Sequence, residues 1–306
     1  MLTRIWLYLS EMYPPFQRLI FAMVYFYGPY FCLQVFEGAS PLSWNWRSLT
    51  GALTLYFFLM FLRVSDEFKD AELDRRLFPE RPFPSGRVLE KDLKILHSFC
   101  LGVMLALNFW TLNGISGFIV LFIFGLLMLK FFFIKERIQK SLILALITHN
   151  PSVFMIHIYI NSIYSDEIGI VFWRPQFLWV SLLFYLPGLA WELARKVRAP
   201  QDENEYETYS RIFGYKLAAT LPVVLNAVHL GVLFILKEAL GVDWIFMALM
   251  TAAFLFSFFK SYRFISSPTS KTSNLKPVAE IYLIGSSILF AIDLFLHHSG
   301  YFKGVH

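Results

Sequence analysis

Residues 54–74 read Thr54-Leu55-Tyr56-Phe57-Phe58-Leu59-Met60-Phe61-Leu62-Arg63-Val64-Ser65-Asp66-Glu67-Phe68-Lys69-Asp70-Ala71-Glu72-Leu73-Asp74, an apolar run that passes directly into an acidic one. The apolar part belongs to the stretch 48–65, about the length a helix needs to cross a bilayer core. In the acidic part Asp66, Asp70 and Asp74 recur at every fourth position. If the helix continues past the membrane surface, this spacing stacks three carboxylates on one face, where like charges destabilise a bare helix. The arrangement asks for a cation. Mg²⁺, with Mn²⁺ as a substitute, fits because it takes carboxylate oxygens and completes its shell with water and substrate phosphates. Arg75, Arg76, Arg81 and Arg87 follow closely, so a metal–phosphate site is expected at the mouth of this span.

The rest of the chain supports a membrane setting. Of 306 residues 57% are hydrophobic and 16% charged, where a soluble domain carries about 25% charged residues. Mean hydropathy is +0.55. Apolar runs fall near 17–37, 48–65, 93–110, 114–134, 141–161, 172–192, 215–237, 243–260 and 277–297. That predicts an all-α integral membrane protein of about nine transmembrane helices. No connector is long enough for a separate soluble domain, so residues 1–306 are expected to form one membrane-embedded domain. Nine spans place 23 of the 27 Lys and Arg on the side of the N-terminus and of the connectors after spans 2, 4, 6 and 8. Only Arg47, Arg174, Lys237 and Lys303 fall on the other. The positive-inside rule makes the basic side cytoplasmic. The formal net charge of +5 is thus a topology signal and does not point to nucleic acid. Cys32 and Cys100 lie in apolar runs and match no metal or disulfide pattern.

A second polar group follows span 6: Trp191-Glu192-Leu193-Ala194-Arg195-Lys196-Val197-Arg198-Ala199-Pro200-Gln201-Asp202-Glu203. By span parity it faces the same side as the first. Glu192 could hold a second metal, while Arg195, Lys196 and Arg198 could grip phosphate oxygens. A basic juxtamembrane cluster also suits plain contact with anionic lipid. The connector Phe131-Phe132-Phe133-Ile134-Lys135-Glu136-Arg137 adds Lys135 and Arg137 to that side.

These residues carry a resemblance. Asp66 to Asp74, running into Pro79-Glu80-Arg81-Pro82-Phe83-Pro84-Ser85-Gly86-Arg87, resembles the first signature of the UbiA superfamily of intramembrane prenyltransferases, an Asn-Asp-x-x-Asp-x-x-x-Asp element followed by Arg-Pro-x-Pro-Ser-Gly. Asp66 stands where the family has Asn and Glu67 where it has Asp, both keeping oxygen ligands. The second signature, Asp-x-x-x-Asp with a later Thr and Gly, is half met. Glu192 matches its first Asp, Thr208 to Gly214 resembles the later segment, and Lys196 falls where the second Asp belongs. Either Asp202 or Glu203 folds back as the missing ligand, or a basic side chain replaces the second metal. Phe131 with Lys135 resembles the family's aromatic followed by Lys-Arg after span 4.

The resemblance implies a nine-helix bundle with a cytoplasmic active-site cap. It further implies a Mg²⁺-dependent enzyme that ionises a prenyl diphosphate and passes the allylic carbon to a lipophilic acceptor. Asp66, Asp70, Asp74 and Glu192 would be the catalytic carboxylates, with Glu67 and Asp202 as further metal ligands. Arg75, Arg81, Lys135, Arg195, Lys196 and Arg198 would bind the diphosphate. A terpene cyclase of the same superfamily would use the same metal site without a separate acceptor. A CDP-alcohol phosphotransferase would need an Asp-Gly-x-x-Ala-Arg start, which is absent, and a transporter would carry midplane charges and inverted repeats.

Polar residues inside the runs are costly and so informative. His149-Asn150-Pro151 breaks span 5 and could orient the acceptor. Asn108, His157, Asn226 and His229 are expected in interhelical hydrogen bonds, and Asp293 with His297 as a local pair at the outer end of span 9.

Overall fold

Short polar caps start the helices that the apolar runs predict. In the computed structural model, which describes residues 1–39, 41–204 and 207–298, the Asn45 side chain accepts the N–H groups of Arg47 and Ser48 at 2.9 and 3.0 Å and opens a 24-residue helix. Asp243, Ser141 and Thr208 cap other helices in the same way, satisfying backbone donors that a first turn leaves without partners. The helices are α1 (Leu2–Met12), α2 (Pro15–Phe36), α3 (Trp46–Lys69), α4 (Ala71–Leu77), α5 (Glu90–Thr111), α6 (Ile115–Leu129), α7 (Lys135–Gln139), α8 (Leu142–His149), α9 (Ser152–Ile168), α10 (Pro175–Ala194), α11 (Tyr209–Phe213), α12 (Tyr215–Leu240), α13 (Trp244–Ser266) and α14 (Lys276–His298). The described residues contain no strand.

Among the described residues, eight segments are long and apolar enough to cross a membrane: α2, α3, α5, the joined α8–α9 segment, α10, α12, α13 and α14. The run expected near 114–134 is a shorter helix, α6, of 15 residues. It stops where Phe131, Phe132 and Phe133 turn to φ of 49°, 50° and 62°. Span 5 is divided at Asn150-Pro151, as its sequence suggests. Pro29, Pro187 and Pro222 lie inside helices without ending them.

The chain divides into two units. The first comprises residues 1–27, 44–135 and 155–172 and is built around α3, which packs on α5 and α6. Gly117 on α6 lets the backbone of α9 come close: a Cβ there would lie 2.9 Å from Tyr159 Cα. Asn108 donates to Thr54 Oγ1 at 2.8 Å and accepts from the Tyr159 hydroxyl at 2.6 Å, which closes the expected interhelical bond. Trp44, Trp46 and Trp110 stand exposed at one end of this unit.

The second unit comprises residues 28–43, 136–154 and 173–306, of which 40, 205, 206 and those past 298 lie outside the described residues. Here α10 packs on α12 and α14, and α13 on the same two helices. His229 meets the Tyr282 hydroxyl at 2.9 Å, and Asn226 donates to Ser257 at 3.4 Å. His297 lies 3.7 Å from Asp293 and 3.6 Å from Asp243, the local pair joined by a third partner.

Candidate active site

The acidic stretch lies where α3 gives way to α4. The hydrogen-bond ladder runs through the junction: the Asp70 N–H donates to the Asp66 carbonyl at 2.9 Å, and the Asp74 N–H to the Asp70 carbonyl at 2.8 Å. Asp70 takes φ −104° and ψ 10°. The axis therefore turns at Asp70, while the backbone ladder from Asp66 through Asp70 to Asp74 is unbroken.

Basic side chains interleave with the carboxylates. Arg63, one turn before Glu67, reaches it at 2.6 Å, and the Tyr8 hydroxyl donates to the same oxygen at 3.5 Å. Burial raises the Tyr8 phenol pKa, so this hydroxyl stays a donor. Lys69 Nζ stands 3.6 Å from Asp66 and 4.5 Å from the Phe131 ring centroid. Arg81 holds Asp74 at 3.0 Å and lies 3.7 Å over the ring of Phe78. Four carboxylates thus meet three basic side chains. Asp70 is the one to which, among the described residues, no Lys or Arg is ion-paired. Burial, and then the charge of Asp66, raises its pKa above the usual carboxylate range, with Lys69 opposing.

Past α4, residues 78–89 form an arch. The N–H groups of Ser85, Gly86 and Val88 donate to the carbonyls of Arg81, Phe83 and Pro82 at 3.0, 3.0 and 2.9 Å. Gly86 supplies the positive φ, 76°, that the turn requires. Arg87 is tied to Glu11 at 2.6 and 2.9 Å and to the Glu80 carbonyl. Arg75 and Arg76 are exposed on α4. Lys135 is exposed, 5.8 Å from the Phe131 ring centroid, so the connector after α6 meets the acidic patch through Phe131 and Lys69.

In the second unit the expected ligands are engaged by the protein. Glu192 is gripped by Arg195 at 2.6 and 2.9 Å. Glu203 accepts from Thr208 at 2.9 and 2.7 Å and from Ser210 at 2.6 Å, while Asp202 accepts from Ser270 at 2.8 Å. The Ser210 hydroxyl oxygen takes the Arg198 N–H, and the Lys196 carbonyl takes the Tyr209 N–H. This loop is closed on itself over a core that includes Leu193, Val197, Tyr209 and Phe264. Lys196 and Arg198 are half-buried at its base. His149 Nδ1 is occupied by the Thr148 hydroxyl and the Ala145 carbonyl, and Asn150 Oδ1 is buried with no hydrogen-bond partner among the described residues.

Among the described residues, no three His, Cys, Asp or Glu side chains form a ready-made metal cage. Glu67, Asp74, Glu192 and Asp202 would each have to exchange a protein partner to reach a cation. The donor chemistry at Asp66, Asp70 and Asp74 is all oxygen. That suits a hard divalent ion bound by one or two carboxylates and completed by water and phosphate. Sequence reasoning missed Tyr8, Arg63 and Lys69. The Arg63–Glu67 pair had a visible signal in its i, i+4 spacing; Tyr8 lies too far along the chain to have one.

The sequence matches the UbiA prenyltransferase family over residues 23–284. No curated protein matches it significantly. Among solved structures, the fold is similar to that of digeranylgeranylglyceryl phosphate synthase, with a TM-score of 0.59 at 15% identity over 96% of this chain and 99% of that one. It is also similar to the apo structure of a UbiA homolog from Aeropyrum pernix K1, with a TM-score of 0.54 at 13% identity over 90% of this chain and 97% of that one. A match over most of its length and a shared all-helical fold lead to one conclusion: the chain belongs to the UbiA prenyltransferase family and is a multi-pass integral membrane prenyltransferase.

Proposed function

We propose that the chain transfers an isoprenyl group from a prenyl diphosphate to a lipophilic acceptor within the bilayer, with Asp66, Asp70 and Asp74 holding Mg²⁺ on the cytoplasmic side. The observation that carries this reading is Asp70, a carboxylate without an ion-paired Lys or Arg, in a patch of four carboxylates and three basic groups at the end of a membrane span. A diphosphate would be repelled by such a patch unless a cation came with it. A bound divalent ion would supply the charge neutralisation that the departing diphosphate needs.

The chain's own residues have separate tasks in this reading. Arg81, fixed by Asp74 and stacked on Phe78, keeps further N–H donors for phosphate oxygens. Arg75 and Lys135 bring exposed charges to the same end of the first unit. Asp66 keeps Lys69 against Phe131. Glu67 is held by Arg63 and Tyr8, and in this state it fixes the start of the acidic turn. In the second unit Lys196 and Arg198 are assigned to phosphate oxygens, and His149 with Asn150 to the acceptor. In this reading an apolar surround would have to exclude the water that traps an allylic cation.

The test is prenyl-diphosphate turnover by Asp70→Ala and Asp70→Glu across a Mg²⁺ titration. Loss of one key electrostatic contact costs about 10²–10³ in rate. Asp70→Ala should fall in that range, and Asp70→Glu should retain part of the activity. A folded Asp70→Ala protein working at the wild-type rate would remove the metal assignment. Running the assay with and without membrane extract separates transfer to an acceptor from cyclisation.

A further inference from the structure

The helix α1 is amphipathic in an inverted sense: its polar face turns toward the protein. Arg4, Tyr8 and Glu11, spaced at i, i+4 and i+7, line that face. Arg4 makes a two-pronged bond to Asp92 at 2.6 and 3.1 Å, at the start of α5. Tyr8 donates to Glu67 near the end of α3, and Glu11 accepts from both terminal nitrogens of Arg87 at the foot of the arch. Three ties from one short helix therefore reach α3, the 78–89 arch and α5.

The opposite face is apolar and bare. Leu2 is 77% exposed and Trp6 62%. The chain then turns at Tyr13-Pro14 into α2, a membrane span whose first turns expose Phe16 at 73% and Ile20 at 45%. The bare face of α1 is thus followed directly along the chain by the exposed apolar start of a membrane span. The other end of the first unit carries exposed Trp44, Trp46 and Trp110. Those residues and Trp6 lie at opposite ends of α3, whose 24 residues span roughly 36 Å. Exposed tryptophans at two levels separated by about a bilayer core mark the two interfaces.

We propose that α1 is an interfacial strap. Its Leu2/Trp6 face docks into the headgroup layer of a phospholipid bilayer, and its Arg4/Tyr8/Glu11 face holds the arch and the start of α5 against the end of α3. A surface helix with an apolar face and a charged face settles in that layer. Here the charged face is taken by protein, so lipid contact on one side presses the ties on the other. Docking does not depend on the reaction assigned above.

The full-length chain in phospholipid nanodiscs tests both halves. A nitroxide on Ser10→Cys reports the depth of α1. Ser10 is exposed and its hydroxyl donates to the Leu7 carbonyl, while Cys32 and Cys100 are buried. Its spectrum should saturate with oxygen more than with an aqueous nickel chelate, whereas a label on Ser85→Cys at the arch should do the reverse. Equal nickel access at both sites, or dipolar broadening from a second copy in place of oxygen access, would overturn lipid docking. Hydrogen exchange tests the strap. Leu2→Glu/Trp6→Glu should speed exchange at the Ser85, Gly86 and Val88 amides several-fold and leave α12 unchanged. Glu11→Arg and Arg87→Glu should each do the same, and the double swap should restore protection. Unchanged arch exchange in all these variants would refute the strap. These readouts need no turnover, so they stand apart from any failure of the assigned chemistry.

Discussion

Asp70 concentrates the electrostatics of the first unit in one side chain. Burial raises its pKa most, Asp66 and Asp74 add to the rise from one turn away on either side, and Lys69 and Arg63 oppose it. A carboxyl whose folded pKa stands above its unfolded value binds its proton more tightly in the folded chain. Its contribution to stability is therefore present below the unfolded pKa and is lost as pH rises through the folded one. The metal-free protein should lose stability on this account between about pH 4 and the raised Asp70 value. Under the proposed metal assignment, cation binding would expel the same proton, so stabilisation by Mg²⁺ should grow across that window. Thermal melts in EDTA and in Mg²⁺, taken over this range, measure both slopes. Asp70→Asn should flatten them; slopes that persist in this variant would place the titration elsewhere. The three stacked aspartates were legible from spacing alone. Of their counter-charges, Arg81 was named from sequence as a phosphate binder, whereas Arg63 and Lys69 were passed over although they lie on the same helix. Glu203 shows the opposite case. Its two hydroxyl donors, Thr208 and Ser210, follow within one loop, yet nothing in their spacing told a ligand from a loop staple.

At the scale of single elements, α6 sets two constraints. One face carries Gly117 and Gly125, where added side chains would meet the Tyr159 backbone and the Phe58 ring at 2.9 and 2.8 Å. Overpacking such a contact typically costs about 1–3 kcal/mol. Gly117→Ala should lower the melting temperature measurably in detergent. Gly102→Ala, with no atom within 4 Å of its new Cβ, should leave the melting temperature level or higher, because alanine favours helix. Equal melting of the two variants would contradict the close α6–α9 approach. The second constraint is the turn after α6. Three consecutive phenylalanines in the left-handed region each cost about 1–2 kcal/mol, and Phe131 is buried there with Lys69 at its ring. Phe133 is 79% exposed and makes the same turn at φ 62°. Phe133→Gly removes its strain without emptying a core, so it should raise the melting temperature. A fall would show that the ring stabilises the turn by more than the strain it carries. Hydropathy located this run but not its end, because an apolar sequence does not announce a left-handed backbone.

Across the whole molecule, the apolar runs anticipated the spans to within a few residues at most ends: 172–192 against α10 at Pro175–Ala194, and 277–297 against α14 at Lys276–His298. A bilayer rewards apolar length directly, so length is readable. The element that escaped was α1, whose apolar core from Ile5 to Leu9 is too short to register and whose partners lie far along the chain. One question of topology turns on α6. Its 15 residues span about 22 Å, less than a bilayer core, yet the Lys/Arg asymmetry read from the sequence is kept only if it crosses. With nine crossings, 23 of the 27 Lys and Arg stand on one side, as the positive-inside rule demands. If α6 failed to cross, every connector beyond it would change sides, and the basic clusters at 130–140, 195–216 and 260–276 would part from the one at 63–94. Cysteines at Ser85, Val171 and Gln201, all exposed positions, separate the two cases. In intact cells an impermeant thiol reagent should label Val171→Cys alone, and opening the membrane should add Ser85→Cys and Gln201→Cys. Eight crossings would instead protect Val171→Cys and expose Gln201→Cys. The buried Cys32 and Cys100 keep the background low. Labelling of Ser85→Cys in intact cells would reverse the whole orientation, placing the acidic patch on the side away from the cytoplasm.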